Sequence, residues 1–122
     1  MRQQLLNRED AKKVSESRFK VNLTPRDVRE LVKEGLDADL IHEESHDLGD
    51  GREIGTLIFE KYFFRVKNRV ALVVIADNIY GTTEVRAIST GSSEGMIFKF
   101  DWGASDDFAG SVEQILSEYI VE

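Results

Sequence analysis

The sequence predicts a single α+β domain, an antiparallel sheet of about five to six strands with two helices packed on one face. Three observations predict it. The chain has 122 residues, 41% of them hydrophobic and 32% charged, which suits one compact domain with one core. Several short stretches alternate apolar and polar residues as half-buried strands do, whereas two others space their apolar residues as helices do. Short connections at 67–69 and 78–81 join neighbouring strand-like runs, and such loops demand antiparallel pairing. The expected order is β-α-β-β-β-β-β-α.

Residues 1–17 are polar and mildly basic, with Leu5, Leu6 and Val14 too sparse for an apolar stripe. They read as an N-terminal helical arm ahead of a domain spanning 18–122. From Arg18 to Leu23 the chain alternates, with Phe19, Val21 and Leu23 on one strand face. Thr24 then offers a helix cap, Pro25 suits the first helical position, and Asp27 takes the capping-box position. Val28, Leu31, Val32 and Leu36 follow at helical spacing, with Gly35 near the end.

The stretch 38–48 is polar and reads best as an edge strand ending in the turn Gly49-Asp50-Gly51. Strands are expected at 54–66, 70–77, 82–90 and 96–100. Val70 to Ala76 is apolar on both faces and so belongs at the centre of the sheet. A final helix is expected from a cap at Ser105, with Phe108, Val112, Ile115, Leu116 and Tyr119 forming one stripe.

Composition excludes several function classes. The chain contains no cysteine, which removes disulfides, thiolate metal sites and thiol nucleophiles together. Its net charge of −7 opposes phosphate backbones, so no nucleic-acid partner is expected. The longest apolar run, Val70 to Ala76, is far short of the ~20 residues of a membrane helix. The first residues lack the apolar core of a secretory signal. A cytoplasmic location without membrane contact is the expectation.

Three spellings invite chemistry. His42-Glu43-Glu44-Ser45-His46 matches H-E-x-x-H, in which two histidines share zinc and the glutamate acts as base. The motif needs a helix, where four residues advance ~6 Å with both rings on one face; on a strand they advance ~13 Å. A third ligand would have to be a carboxylate such as Glu60. The strand reading leaves His42 and His46 as disfavoured metal candidates. Gly91-Ser92-Ser93-Glu94-Gly95 spells the nucleophile elbow G-x-S-x-G. That elbow needs a helix after it and a later histidine, but strand-like residues follow and both histidines precede it. Finally, Phe59 to Arg69 mixes aromatics with Lys61, Arg65, Lys67 and Arg69, as a base-stacking surface would. In an acidic chain it reads better as a sheet strand whose basic residues pair with nearby acids.

From about Arg18 to Tyr119 the chain resembles a family of small bacterial proteins classed as a domain of unknown function. The resemblance rests on Phe19-Lys20-Val21, on Phe59-Glu60-Lys61-Tyr62 followed by Asn68-Arg69-Val70, and above all on the run from Ala87 to Phe100. It places 38–48 opposite a strand-like stretch without the zinc spelling. In the family a Gly-Gly pair precedes Asn-Arg, where this chain has Lys67. The resemblance carries no activity, but it directs attention to Thr90 to Ser93 and Trp102 as a shared surface.

The function expected is a non-catalytic binding or interaction module, which could self-associate through an edge strand or an uncovered sheet face as a homo-oligomer. No catalytic residue and no cofactor is expected. The expected ligand or interaction surface is Thr90, Gly91, Ser92, Ser93 and Trp102, a small hydroxyl-rich loop beside an indole. One alternative is a small-molecule carrier whose apolar cavity between helix and sheet is lined by Phe63, Val73 and Phe98. The other is a zinc hydrolase using His42 and His46 with Glu43 as base.

Overall fold

Thr24 opens the first helix as its sequence context requires: its side-chain oxygen accepts from the Asp27 amide at 3.1 Å, and Pro25 follows where an amide is not needed. In the computed structural model, which describes residues 14–64, 67–90 and 100–121, helix α1 spans Pro25–Gly35 between strands β1 (Val14–Val21) and β2 (Asp39–Gly49). Strands β3 (Arg52–Phe63), β4 (Asn68–Asp77) and β5 (Thr83–Thr90) follow, then helix α2 (Phe100–Ile115), a 3₁₀ turn and the short strand β6 (Ile120–Val121). The strands form one sheet in the order β2-β3-β4-β5-β1-β6, with every neighbouring pair antiparallel. The apolar run of residues 70–76 lies in its interior, as β4, between β3 and β5.

Strand alternation divides the sheet into two faces. Leu57 and Phe59 of β3, Leu72, Val74 and Ala76 of β4, and Val85 and Ala87 of β5 point one way and are almost wholly buried. Val28 and Val32 of α1 and Phe108, Val112 and Leu116 of α2 complete this core. Both helices therefore cover the same face. Ser17 of β1 extends that face outward, its hydroxyl donating to Glu113 of α2 at 2.8 Å. Gly35 ends α1 against Ile115, where a Cβ would lie 3.3 Å from three side-chain atoms, so its small size allows the helices to approach closely.

The structure departs from the sequence pattern in particular places. β1 begins at Val14, ahead of the clear alternation, so residues 14–17 of the helical arm expected over 1–17 are strand instead, and residues 1–13 lie outside the described residues. The expected strand at 96–100 also falls outside them except for Phe100, which opens α2 instead of ending a strand. The reason is legible in the spacing: Phe100, Ala104, Phe108 and Val112 are four apart, so the helical period reaches back past Ser105. The sixth strand is supplied after the helix by Ile120–Val121, which pairs with β1.

Two turns at one end of the sheet are tied by a single side chain. In the β2–β3 turn, Gly49, Asp50 and Gly51 all have positive φ, the conformation glycine tolerates best. The Asn78 side chain, just past β4, accepts from the Glu53 amide at 2.8 Å and donates to the Gly51 carbonyl at 3.1 Å. Asn78→Ala should cost about 1–3 kcal/mol, the usual consequence of stranding part-buried backbone groups, as urea unfolding would measure. At the opposite end, Lys67 also adopts a left-handed conformation, φ 52°, which glycine would take at less cost.

Candidate functional site

The face of the sheet turned away from both helices carries side chains that a solvated surface does not require. Cross-strand partners align Ile58 of β3 with Val73 of β4 and Ile88 of β5 in one row. The next row is Thr56, Ile75 and Arg86, and the one beyond is Ile54, Asp77 and Glu84. The apolar members of these rows are half-buried, and no described helix lies above them. At the end of β3, Tyr62 and Phe64 extend the patch; their rings meet edge-to-face at 5.1 Å, and Phe64 is 81% exposed.

Charged strands flank this apolar strip. On one side β2 places His42 opposite Ile58, Glu44 opposite Thr56 and His46 opposite Ile54. On the other, β1 places Glu16 opposite Ile88, Arg18 opposite Arg86 and Lys20 opposite Glu84. Arg18 pairs with Glu16 at 3.1 Å and Glu84 at 3.7 Å, and Arg86 lies 3.7 Å from the buried Asp77.

The strand backbone decides the geometry of the H-E-x-x-H spelling. His42 and His46 stand on either side of Glu44, with ring nitrogens 3.3 and 3.8 Å from different oxygens of its carboxylate. Glu43 points to the opposite, helix-covered face. There it holds the Lys33 ammonium at 3.0 and 3.1 Å and lies 3.6 Å from Arg29 Nε. Its carboxylate raises the Lys33 pKa against the lowering effect of burial. A glutamate bound in this way on the far side of the sheet is badly placed to act as base for the two imidazoles. Glu60 is engaged by Arg69 at 3.0 Å, and among the described residues no three His, Asp or Glu side chains form a metal-binding group.

Arg29 itself is buried, its guanidinium lying flat over Gly55 between Glu43 and Glu53, 3.6 and 3.8 Å away. At the other end of α1, an open cleft of about 490 Å³ is lined by Leu36, Asp37, Lys61, Phe63, Phe108 and Ile115, among others. Phe63 and Phe108 meet edge-to-face with centroids 5.6 Å apart, and the Lys61 ammonium sits 5.4 Å above the Phe63 ring.

The family model described as a family of unknown function, DUF6054, matches residues 14–120, nearly the whole described chain. The chain belongs to DUF6054. A comparison with curated proteins finds no match. Among the described residues of this DUF6054 chain, no helix is long and apolar enough to cross a membrane.

The surface expected from the sequence is only partly visible in the DUF6054 fold. Thr90 is the last residue of β5, paired with Ala71 and Val14. Gly91, Ser92 and Ser93 lie outside the described residues, and Trp102 falls in α2 with its side chain outside them. Phe63 and Val73 do not line a common cavity, because Phe63 faces α2 and Val73 faces away from both helices; Phe98 lies outside the described residues. Sequence reasoning missed the row of Ile58, Val73 and Ile88 as a site. Its signal was present, since a strand apolar on both faces needs something on each of them.

Proposed function

We propose that this chain is a non-catalytic interaction module that binds through the face of its sheet turned away from both described helices. The observation that carries the reading is the contiguous row Ile58, Val73 and Ile88, backed by Ile75 and Ile54. An antiparallel sheet with one face in water normally alternates apolar-in with polar-out, and contiguous apolar patches mark interaction sites. The arrangement of His42, Glu44 and His46 supports a role as a polar rim to this patch.

The test is thermodynamic. The variant Ile58→Thr with Val73→Thr and Ile75→Thr keeps β-branched residues on an open surface and should cost about 2 kcal/mol or less in total. If the face were internal to the monomer, the same changes would cost upwards of about 6 kcal/mol, and urea unfolding at low protein concentration would overturn the reading.

A second reading, a small-molecule carrier, is favoured by the cleft between α2 and the end of β3, where two rings, Lys61 and Asp37 surround about 490 Å³. A volume above ~300 Å³ is within the range of ligand sites. It predicts that small aromatic acids shift the NMR signals of Phe63 and Phe108; an unshifted spectrum at millimolar ligand removes it.

A further inference from the structure

The geometry points to a second copy of this chain as the occupant of the sheet face turned away from both described helices, packed about a two-fold axis that runs parallel to the strands over β4. This inference rests on the reading of that face as an interaction surface and specifies what it binds.

A symmetric dimer needs a patch that is complementary to itself under rotation. Five strands bear the patch, in the order β2-β3-β4-β5-β1, so β4 is the middle one. A two-fold along the strands keeps each cross-strand row level and exchanges left for right. Val73 and Ile75 then meet their own copies, and Ile58 meets Ile88 of the partner subunit, so the apolar strip closes on itself; Asp77, one row on, also meets its own copy, with Arg86 3.7 Å away to offset each carboxylate. The flanks exchange as well, setting β2 of one copy over β1 of the other. β2 presents Asp39 and Glu44 with two histidines and no lysine or arginine on this face. β1 and β5 together present Arg18, Lys20 and Arg86 against Glu16 and Glu84. Glu44 comes to face Arg18 of the partner subunit, and His42 comes to face Glu16 of the partner subunit.

The competing two-fold, perpendicular to the strands, sets each strand on its own copy. Passing over the row of Thr56, Ile75 and Arg86, it would put Glu44 against Glu44 and Arg18 against Arg18, and like charges brought together oppose association. Face-to-face sheets pack with their strands within about 30° of each other, a condition that both axes meet, so the pairing of charges decides between them.

Sedimentation equilibrium on the full chain tests this directly. The wild type should dimerise, and Val73→Arg should raise the dissociation constant at least about 30-fold, as expected for a residue at the centre of an interface. Glu44→Arg and Arg18→Glu should each weaken the dimer about 10-fold. Mixed in equal amounts, these two single variants should form a heterodimer close to wild-type affinity, because each repulsive pair becomes an attractive one across the axis. Circular dichroism confirms that each variant is folded. A wild type that stays monomeric at several hundred micromolar overturns the inference, as does a dimer that Val73→Arg leaves intact or a mixture no tighter than its components. The threonine triple variant decides separately whether the face is free, so a monomer with a cheap triple variant would sink the self-association and spare the interaction face.

Discussion

Phe59→Ala should destabilise the chain by about 3–5 kcal/mol, whereas Ile58→Ala, one residue away, should cost about 1 kcal/mol in dilute solution. Phe59 is 1% exposed and belongs to the core beneath the two helices. Its removal opens a cavity that neighbours in well-formed elements cannot fill. Ile58 sits on the other side of the same strand, paired with Val73 under no described helix, and loses mostly strand propensity and lateral contact. A domain with a total stability of about 5–15 kcal/mol should show the first change as a large drop in the urea midpoint and the second as a small one. Equal costs at the two positions would mean that both faces are interior, and the division of the sheet described above would be wrong.

Gly55→Ala is expected to cost about 1–3 kcal/mol, although alanine is ordinarily the better strand residue. The glycine is needed for space. A Cβ at this position would lie 2.6 Å from Arg29 Cδ and 3.0 Å from Cζ, and closer still to a guanidinium nitrogen. Arg29 cannot swing aside freely, because its side chain is 10% exposed and held between Glu43 and Glu53. Among the described residues its Nε and Nη1 make no hydrogen bond, so its position depends on charge attraction and on the backbone beneath. A double-mutant cycle isolates the effect: in an Arg29→Ala background, Gly55→Ala should become neutral or stabilising by up to about 1 kcal/mol. If the alanine costs the same in both backgrounds, the contact with Arg29 is not what the glycine is for.

Much of this fold was legible because local chemistry and tertiary structure agree. Thr24, Pro25 and Asp27 set the start of α1 on their own, and residues 70–76 could only be an inner strand. β2 was harder, since its side chains are all exposed; the weakness of its pattern is itself the mark of an edge. The start of α2 was misplaced because Met96, Phe98 and Phe100 alternate like a strand and Gly103 looks like a break, while the helical period through Phe100 and Ala104 is carried by only two residues. β6 is two residues long and leaves no periodic trace. The candidate site was half-legible: alternation told which residues share a face, but whether a layer covers that face is a property of the whole fold.

β2 is eleven residues long and, among the described residues, unpaired along its outer side, which would ordinarily invite another chain to zip alongside and extend the sheet into a ribbon. Its irregularities forbid that. The register shifts around Ile41 and Leu48 interrupt the straight run of amides and carbonyls near each end, and the carboxylates of Asp39, Glu43, Glu44 and Asp47 repel an identical neighbour. Growth along this margin is thereby opposed, which favours the proposed stacked pair, an assembly that its two-fold axis closes at two copies.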